Sequence, residues 1–143
     1  MRKKILVVED DPDQRELIRW HLKRAGYSTG TASRGFDALV KSRALAPDLI
    51  VLDLMLPGIN GFEICKALRK NPATAATPVL MLTSMCTDYS RTMGFEAGIN
   101  AFMNKPYVPD ELLSTVQELL SPPAPAASGP GQSQTRQTPR ARA

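Results

Sequence analysis

Short, almost wholly apolar runs alternate along the chain with longer stretches that repeat every three or four residues. Ile-Leu-Val-Val at 5–8, Leu-Ile-Val-Leu at 49–52 and Val-Leu-Met-Leu-Thr at 79–83 have the continuous apolar character of strands covered on both faces. Residues 28–32 and 101–104 complete a set of five expected strands. Helices are expected at 14–25, 36–45, 62–70 and 88–97. A closing helix at 110–120 shows the period most plainly, in Leu112, Leu113, Val116, Leu119 and Leu120. Asp11-Pro12 offers a cap and a first-turn proline, and Gly26 and Gly98 stand where helices should stop. Five repeats of strand then helix imply an α/β fold, a parallel sheet wrapped by helices on both faces, because each crossover must be right-handed.

Composition divides the chain in two. From Ser121 onward there is no Leu, Ile, Val or aromatic residue, only a Pro-, Ala-, Gly- and Gln-rich segment. Such a segment has too little apolar surface to offset chain entropy, so 121–143 reads as a disordered tail behind a globular domain at 1–120. Fifteen of the eighteen basic residues and all fourteen acids precede Ser121. The globular part is therefore nearly neutral, and Arg136, Arg140 and Arg142 make the tail basic. That distribution is no nucleic-acid footprint. No run approaches the roughly 18 apolar residues of a membrane span. The amino terminus lacks the long apolar stretch of a secretory signal, so a cytoplasmic location is expected. Cys65 and Cys86 have no metal-type spacing and suit thiols of a reducing compartment.

In open parallel sheets the ligand crevice lies beyond the carboxyl ends of the strands. There the sequence places Glu9, Asp10 and Asp11 after the first strand and Asp53 after the third. Thr83-Ser84 follow in the fourth, and Lys105-Pro106 in the fifth. Each has an ordinary explanation taken singly, and Asp11 before Pro12 reads as a helix cap. Together they converge from four distant segments, and clustered carboxylates repel unless a cation holds them. One lysine cannot neutralise three acids. Carboxylate oxygens completed by water suit a small hard ion, Mg²⁺, with Asp10 and Asp53 as direct ligands and Glu9 acting through a bound water. The second oxygen of Asp53 is then free to attack phosphorus, with Lys105 pairing a phosphoryl oxygen and Thr83 donating a hydrogen bond to another. The residues point to an aspartyl-phosphate site.

Ile-Leu-Val-Val-Glu-Asp-Asp, Leu-Ile-Val-Leu-Asp53-Leu-Met-Leu-Pro-Gly-Ile-Asn-Gly, Met-Leu-Thr83-Ser and Asn-Lys105-Pro-Tyr together resemble the receiver domain of two-component response regulators, over about residues 3–120. The resemblance implies a flavodoxin-like (βα)5 fold with strand order 2-1-3-4-5. It makes Asp53 the phosphoacceptor, Glu9 and Asp10 the acidic pair, and Thr83 and Lys105 the switch hydroxyl and lysine. It adds the backbone carbonyl of Met55 as a metal ligand, a cis peptide at Lys105-Pro106, and Phe102 as the switch aromatic. Phe102 has no hydroxyl to keep an outward pose wet, so an inward pose is expected before phosphorylation. Met55 and Met85 stand at rim positions where they cannot orient water, which implies slow self-dephosphorylation.

The implied function is a signalling switch rather than a conventional enzyme. It takes its phosphoryl group from a histidine kinase or phosphotransfer protein and signals to an unspecified protein partner. Of the charges that support dimers in this family, Arg91 and Glu111 could keep one pair. Asn100 stands where an acid is frequent, and Thr115, Gln117 and Glu118 supply no arginine, which argues against that dimer. Trp20 and His21 lie on the expected kinase-facing helix, where His21 reads as a surface or half-buried helix residue and not a phosphorelay histidine. With no output domain after Leu120, the sequence suits a stand-alone receiver or a fragment of a longer regulator. The competing classes are a non-phosphorylated receiver-like scaffold and part of a DNA-binding regulator. An aspartate-nucleophile phosphatase would want a second acid at Met55. A flavodoxin would not place Glu9-Asp10-Asp11 against a phosphate.

Overall fold

The computed structural model describes residues 2–121. The sequence-defined tail lies outside them, apart from Ser121. Five parallel strands run in the order β2-β1-β3-β4-β5. They are β1 (Lys4–Val8), β2 (Ser28–Ala32), β3 (Leu49–Leu52), β4 (Val79–Thr83) and β5 (Ala101–Asn104). The five helices are α1 (Pro12–Arg24), α2 (Gly35–Leu45), α3 (Gly61–Lys70), α4 (Asp88–Ala97) and α5 (Pro109–Leu120). This is the doubly wound, flavodoxin-like arrangement.

Alternation along each strand divides the apolar residues between two cores. Leu6, Val8, Ile50, Leu52 and Met81 pack with Ile64, Leu68 and Ala97, from α3 and α4. Ile5, Val7, Leu49, Val51, Leu80 and Leu82 pack with Ile18, Leu22, Leu112 and Val116, from α1 and α5. Because β1, β3 and β4 are covered on both faces, nearly every one of their positions must be apolar. The edge strand β2 buries only Ala32, which explains its Ser-Thr-Gly-Thr composition.

The strands fall where the apolar runs place them, but four helices begin one or two residues earlier than their apolar period suggests. In α1 the Asp11 carboxylate accepts from the Asp13 and Gln14 N–H groups, and Pro12 opens the first turn. The capping chemistry, not the first buried side chain, sets the start. An Asn60–Glu63 capping box starts α3, and a reciprocal Thr87–Ser90 pair starts α4. Gly98 ends α4 with φ at 111°, a conformation other residues rarely adopt. Among the described residues no helix is long and apolar enough to cross a membrane.

Candidate functional site

The parallel register builds the site. Val8 pairs with Leu52, so Glu9 and Asp53 emerge side by side one residue beyond the paired strands. The Asp53 N–H donates to the Val8 carbonyl at 3.1 Å, and the Glu9 N–H to the Ala32 carbonyl at 3.0 Å. At the other side Thr83 pairs with Asn104, and the Lys105 N–H donates to the Thr83 carbonyl at 2.9 Å. Four strand ends thus hold their polar residues by main-chain bonds before any side chain interacts.

Lys105 joins the carboxylates. Its Nζ donates to Glu9 Oε1 and, at 3.0 Å, to Asp53 Oδ2. The remaining oxygens meet main-chain donors, the Met55 N–H on Asp53 Oδ1 at 3.1 Å and the Asp11 N–H on Glu9 Oε2 at 3.1 Å. Glu9 is 2% exposed and Asp53 6%, whereas Asp10 faces solvent. Burial pushes the Glu9 carboxyl above the usual range, and the Asp53 charge adds to this against the opposing pull of Lys105 and the Asp11 N–H. Burial alone would lower the Lys105 ammonium, but hydrogen bonds and charge from Glu9 and Asp53 outweigh it and raise it above its ordinary value.

Oxygen atoms of Glu9, Asp10 and Asp53 lie within 4.8 Å of one another, close enough to share one ion. An all-carboxylate set with one member open to water fits a small hard divalent cation. The residues present therefore suit Mg²⁺. They line a cavity of about 650 Å³ together with Lys105, His21 and Tyr107.

Other residues singled out from the sequence are placed differently. Thr83 is fully buried, and its Oγ1 accepts the Met85 N–H at 3.2 Å. Phe102 is also fully buried, with the Arg91 guanidinium 5.4 Å from its ring centre. The ring is thus already inward. Met55 lines the cavity beside Asp53, and Met85 lines a neighbouring one of about 710 Å³. The Lys105-Pro106 peptide is cis. His21 meets the Trp20 and Tyr107 rings edge-on. Glu111 is exposed on α5.

Several contributors had no signal in the sequence pattern. Arg15 donates to the Glu9 carbonyl at 3.0 Å, a link across six residues that no periodicity announces. Gly61 packs so closely under the site that a Cβ there would lie 2.7 Å from the Asp53 carbonyl oxygen. The second glycine of the Pro-Gly-Ile-Asn-Gly run is the one trace of this in the sequence. Asn100, read as a missing acid at a dimer surface, has an internal task. Its Oδ1 accepts from the Val79 N–H at 2.8 Å and from Arg69 at 2.9 Å.

Comparison with known proteins agrees with this geometry. The model of the response regulator receiver domain matches residues 5–117, and the chain belongs to that family. It is 42% identical over 120 residues to the alkaline phosphatase synthesis transcriptional regulatory protein PhoP of Bacillus subtilis. It is 40% identical over 120 residues to the DNA-binding response regulator MtrA of Mycolicibacterium smegmatis. Each match takes in 84% of this chain but 49% and 51% of those proteins, so the chain spans about half the length of the curated relatives it matches. The structure of the chemotaxis response regulator CheY4 of Vibrio cholerae superposes with a TM-score of 0.79 at 34% identity, covering 84% of this chain and 100% of that one. The matched part is a receiver domain, the phosphorylation-activated switch of two-component signalling.

Proposed function

We propose that Asp53 is the phosphoacceptor and that a histidine kinase or phosphotransfer protein supplies the phosphoryl group. One observation carries this reading. The Asp53 carboxylate is nearly buried, held at one oxygen by the Met55 N–H and at the other by Lys105, and lies within ion-sharing distance of Glu9 and Asp10. Asp10 and Asp53 would hold Mg²⁺ directly, with the Met55 carbonyl as a further ligand and Glu9 acting through water. When bound, the ion neutralises charge on the phosphoryl oxygens.

A carboxylate oxygen of Asp53 forms the new bond to phosphorus as the bond from phosphorus to the donor atom breaks, and the donor leaves with that bond's electron pair. Lys105 exchanges a carboxylate partner for a phosphoryl oxygen. Thr83 uses its hydroxyl as an acceptor toward Met85, which leaves its O–H to donate. Residues 1–120 form the receiver on this reading and 121–143 a compositionally distinct basic extension, in a cytoplasmic protein that signals to a protein partner. A second reading, that the chain is the receiver portion of a DNA-binding regulator, is favoured by the names and lengths of the curated relatives.

Acetyl phosphate with Mg²⁺ tests the first reading. The protein should gain one phosphoryl group that hydroxylamine removes, and Asp53→Asn should gain none. Equal labelling of the variant would overturn the assignment.

Phe102 provides a separate expectation. Because its ring is already buried, beryllofluoride should shift its ring NMR signals only slightly. A complete change of ring environment would contradict a pre-set inward pose.

A further inference from the structure

The methionines of the described residues differ widely in exposure. Met81 is fully buried and Met103 is 7% exposed, while Met93 is half-buried. Met55 at 53% and Met85 at 41% are the exposed pair; Met55 lines the cavity of Asp53 and Lys105, and Met85 lines the adjoining one that Asp10 borders. The Met55 N–H holds Asp53 Oδ1, and the Met85 N–H holds Thr83 Oγ1. The Met85 main chain is held further by Ser90 Oγ, which donates to the Met85 carbonyl at 2.6 Å. Both side chains line one cavity with Asp10 and Tyr89, and Met55 also borders the cavity that holds Asp53 and Lys105. A thioether is at best a weak acceptor, so this rim does not orient water.

We infer that Met55 and Met85 are a peroxide-sensitive modification site whose oxidation shortens the life of a phosphoryl group on Asp53. This rests on the reading of Asp53 as phosphoacceptor. Hydrogen peroxide is small and uncharged and can enter the open groove. The sulfur lone pair attacks one peroxide oxygen, forming an S–O bond as the O–O bond breaks. Sulfur gives up two electrons, the other oxygen leaves with them, and with the peroxide's protons it becomes water. The product sulfoxide is polar and a strong acceptor. It replaces a rim that does not orient water with one that can hold a water molecule beside the phosphoryl group.

The test uses the full chain carrying Cys86→Ser, so that thiol oxidation does not contribute. Protein treated with hydrogen peroxide is mapped by peptide mass spectrometry, labelled with acetyl phosphate and Mg²⁺, and followed as the label decays. Sulfoxide should form at Met55 and Met85 well before Met81 and Met103. The label's half-life should fall about tenfold, the factor one water-orienting hydrogen bond of ~1.4 kcal/mol supplies. Methionine sulfoxide reductase should restore it. A Met55→Leu/Met85→Leu double variant, compared with its own untreated control, should show no change on treatment. An unchanged half-life, or equal shortening in the double variant, would overturn the inference. Untreated protein that takes no label would instead overturn the phosphoacceptor reading, and the sulfoxide map would still decide whether the rim is the oxidation site.

Discussion

Replacing Lys105 by methionine should cost the metal-free protein about 3 kcal/mol of stability at neutral pH, toward the lower end of what breaking a buried ion pair costs. Among the described residues the ammonium is the one cation bonded to both buried carboxylates. The side chains are 13% exposed for Lys105, 3% for Glu9 and 8% for Asp53. Methionine fills similar space but leaves two acids without their shared partner, so repulsion and desolvation fall on the folded state alone. Mg²⁺ should return part of the loss, because it binds the folded acids and not the unfolded chain.

The pH dependence has a definite sign. The Glu9 carboxyl titrates above its ordinary 4.5 in the folded protein, so its ionisation opposes folding. That cost is absent below pH 4.5 and sets in as pH rises through the raised value. The contribution of Lys105, raised above 10.5, is complete at neutral pH and is lost only as alkali takes pH through the raised value. The deficit of Lys105→Met should therefore shrink in acid below pH 4.5. Urea unfolding in EDTA across this range reads it. A deficit that is absent at neutral pH would mean that the lysine does not hold the acids.

Arg69→Ala should cost about 2–3 kcal/mol, as expected for loss of a charged group with several main-chain acceptors. Arg69 donates from Nε and Nη2 to the Gly98 carbonyl, at 3.0 and 2.8 Å. Its Nη1 reaches the carbonyls of Thr77 at 2.8 Å and Thr74 at 3.2 Å, and Nη2 also meets Asn100. One planar group thus ties the end of α3 to the approach to β4 and to the turn that launches β5. Lysine lacks the fork to satisfy three directions, so Arg69→Lys should recover little. Urea unfolding decides it. A change within about 0.5 kcal/mol, the range of an ordinary surface substitution, would show the network to be incidental.

The apolar strands and the side-chain contacts between distant residues differ in how far the sequence discloses them. β1, β3 and β4 are legible because burial on both faces demands apolar residues at consecutive positions, and strand ends in such a sheet bring Glu9, Asp53 and Lys105 together. The start of α1 is marked by Asp11-Pro12, but that of α3 is less legible, since Asn60 begins it before the first buried side chain. The Asn100 and Arg69 contacts are hidden because they join residues about thirty apart through side-chain geometry, with no periodic trace. The burial of Phe102 accords with its apolar ring, but the Arg91 guanidinium over that ring has no trace in the sequence. That contact exists only once α4 is packed against β5.

Calorimetric titration of Mg²⁺ into the wild-type protein and into Asp10→Asn tests the central claim most directly. The wild type should take up one ion per chain, and Asp10→Asn should bind far more weakly while keeping its fold, because Asp10 faces solvent and the core does not depend on it. Absence of magnesium uptake by the wild type, or undiminished uptake by the variant, would contradict an ion shared between Asp10 and Asp53.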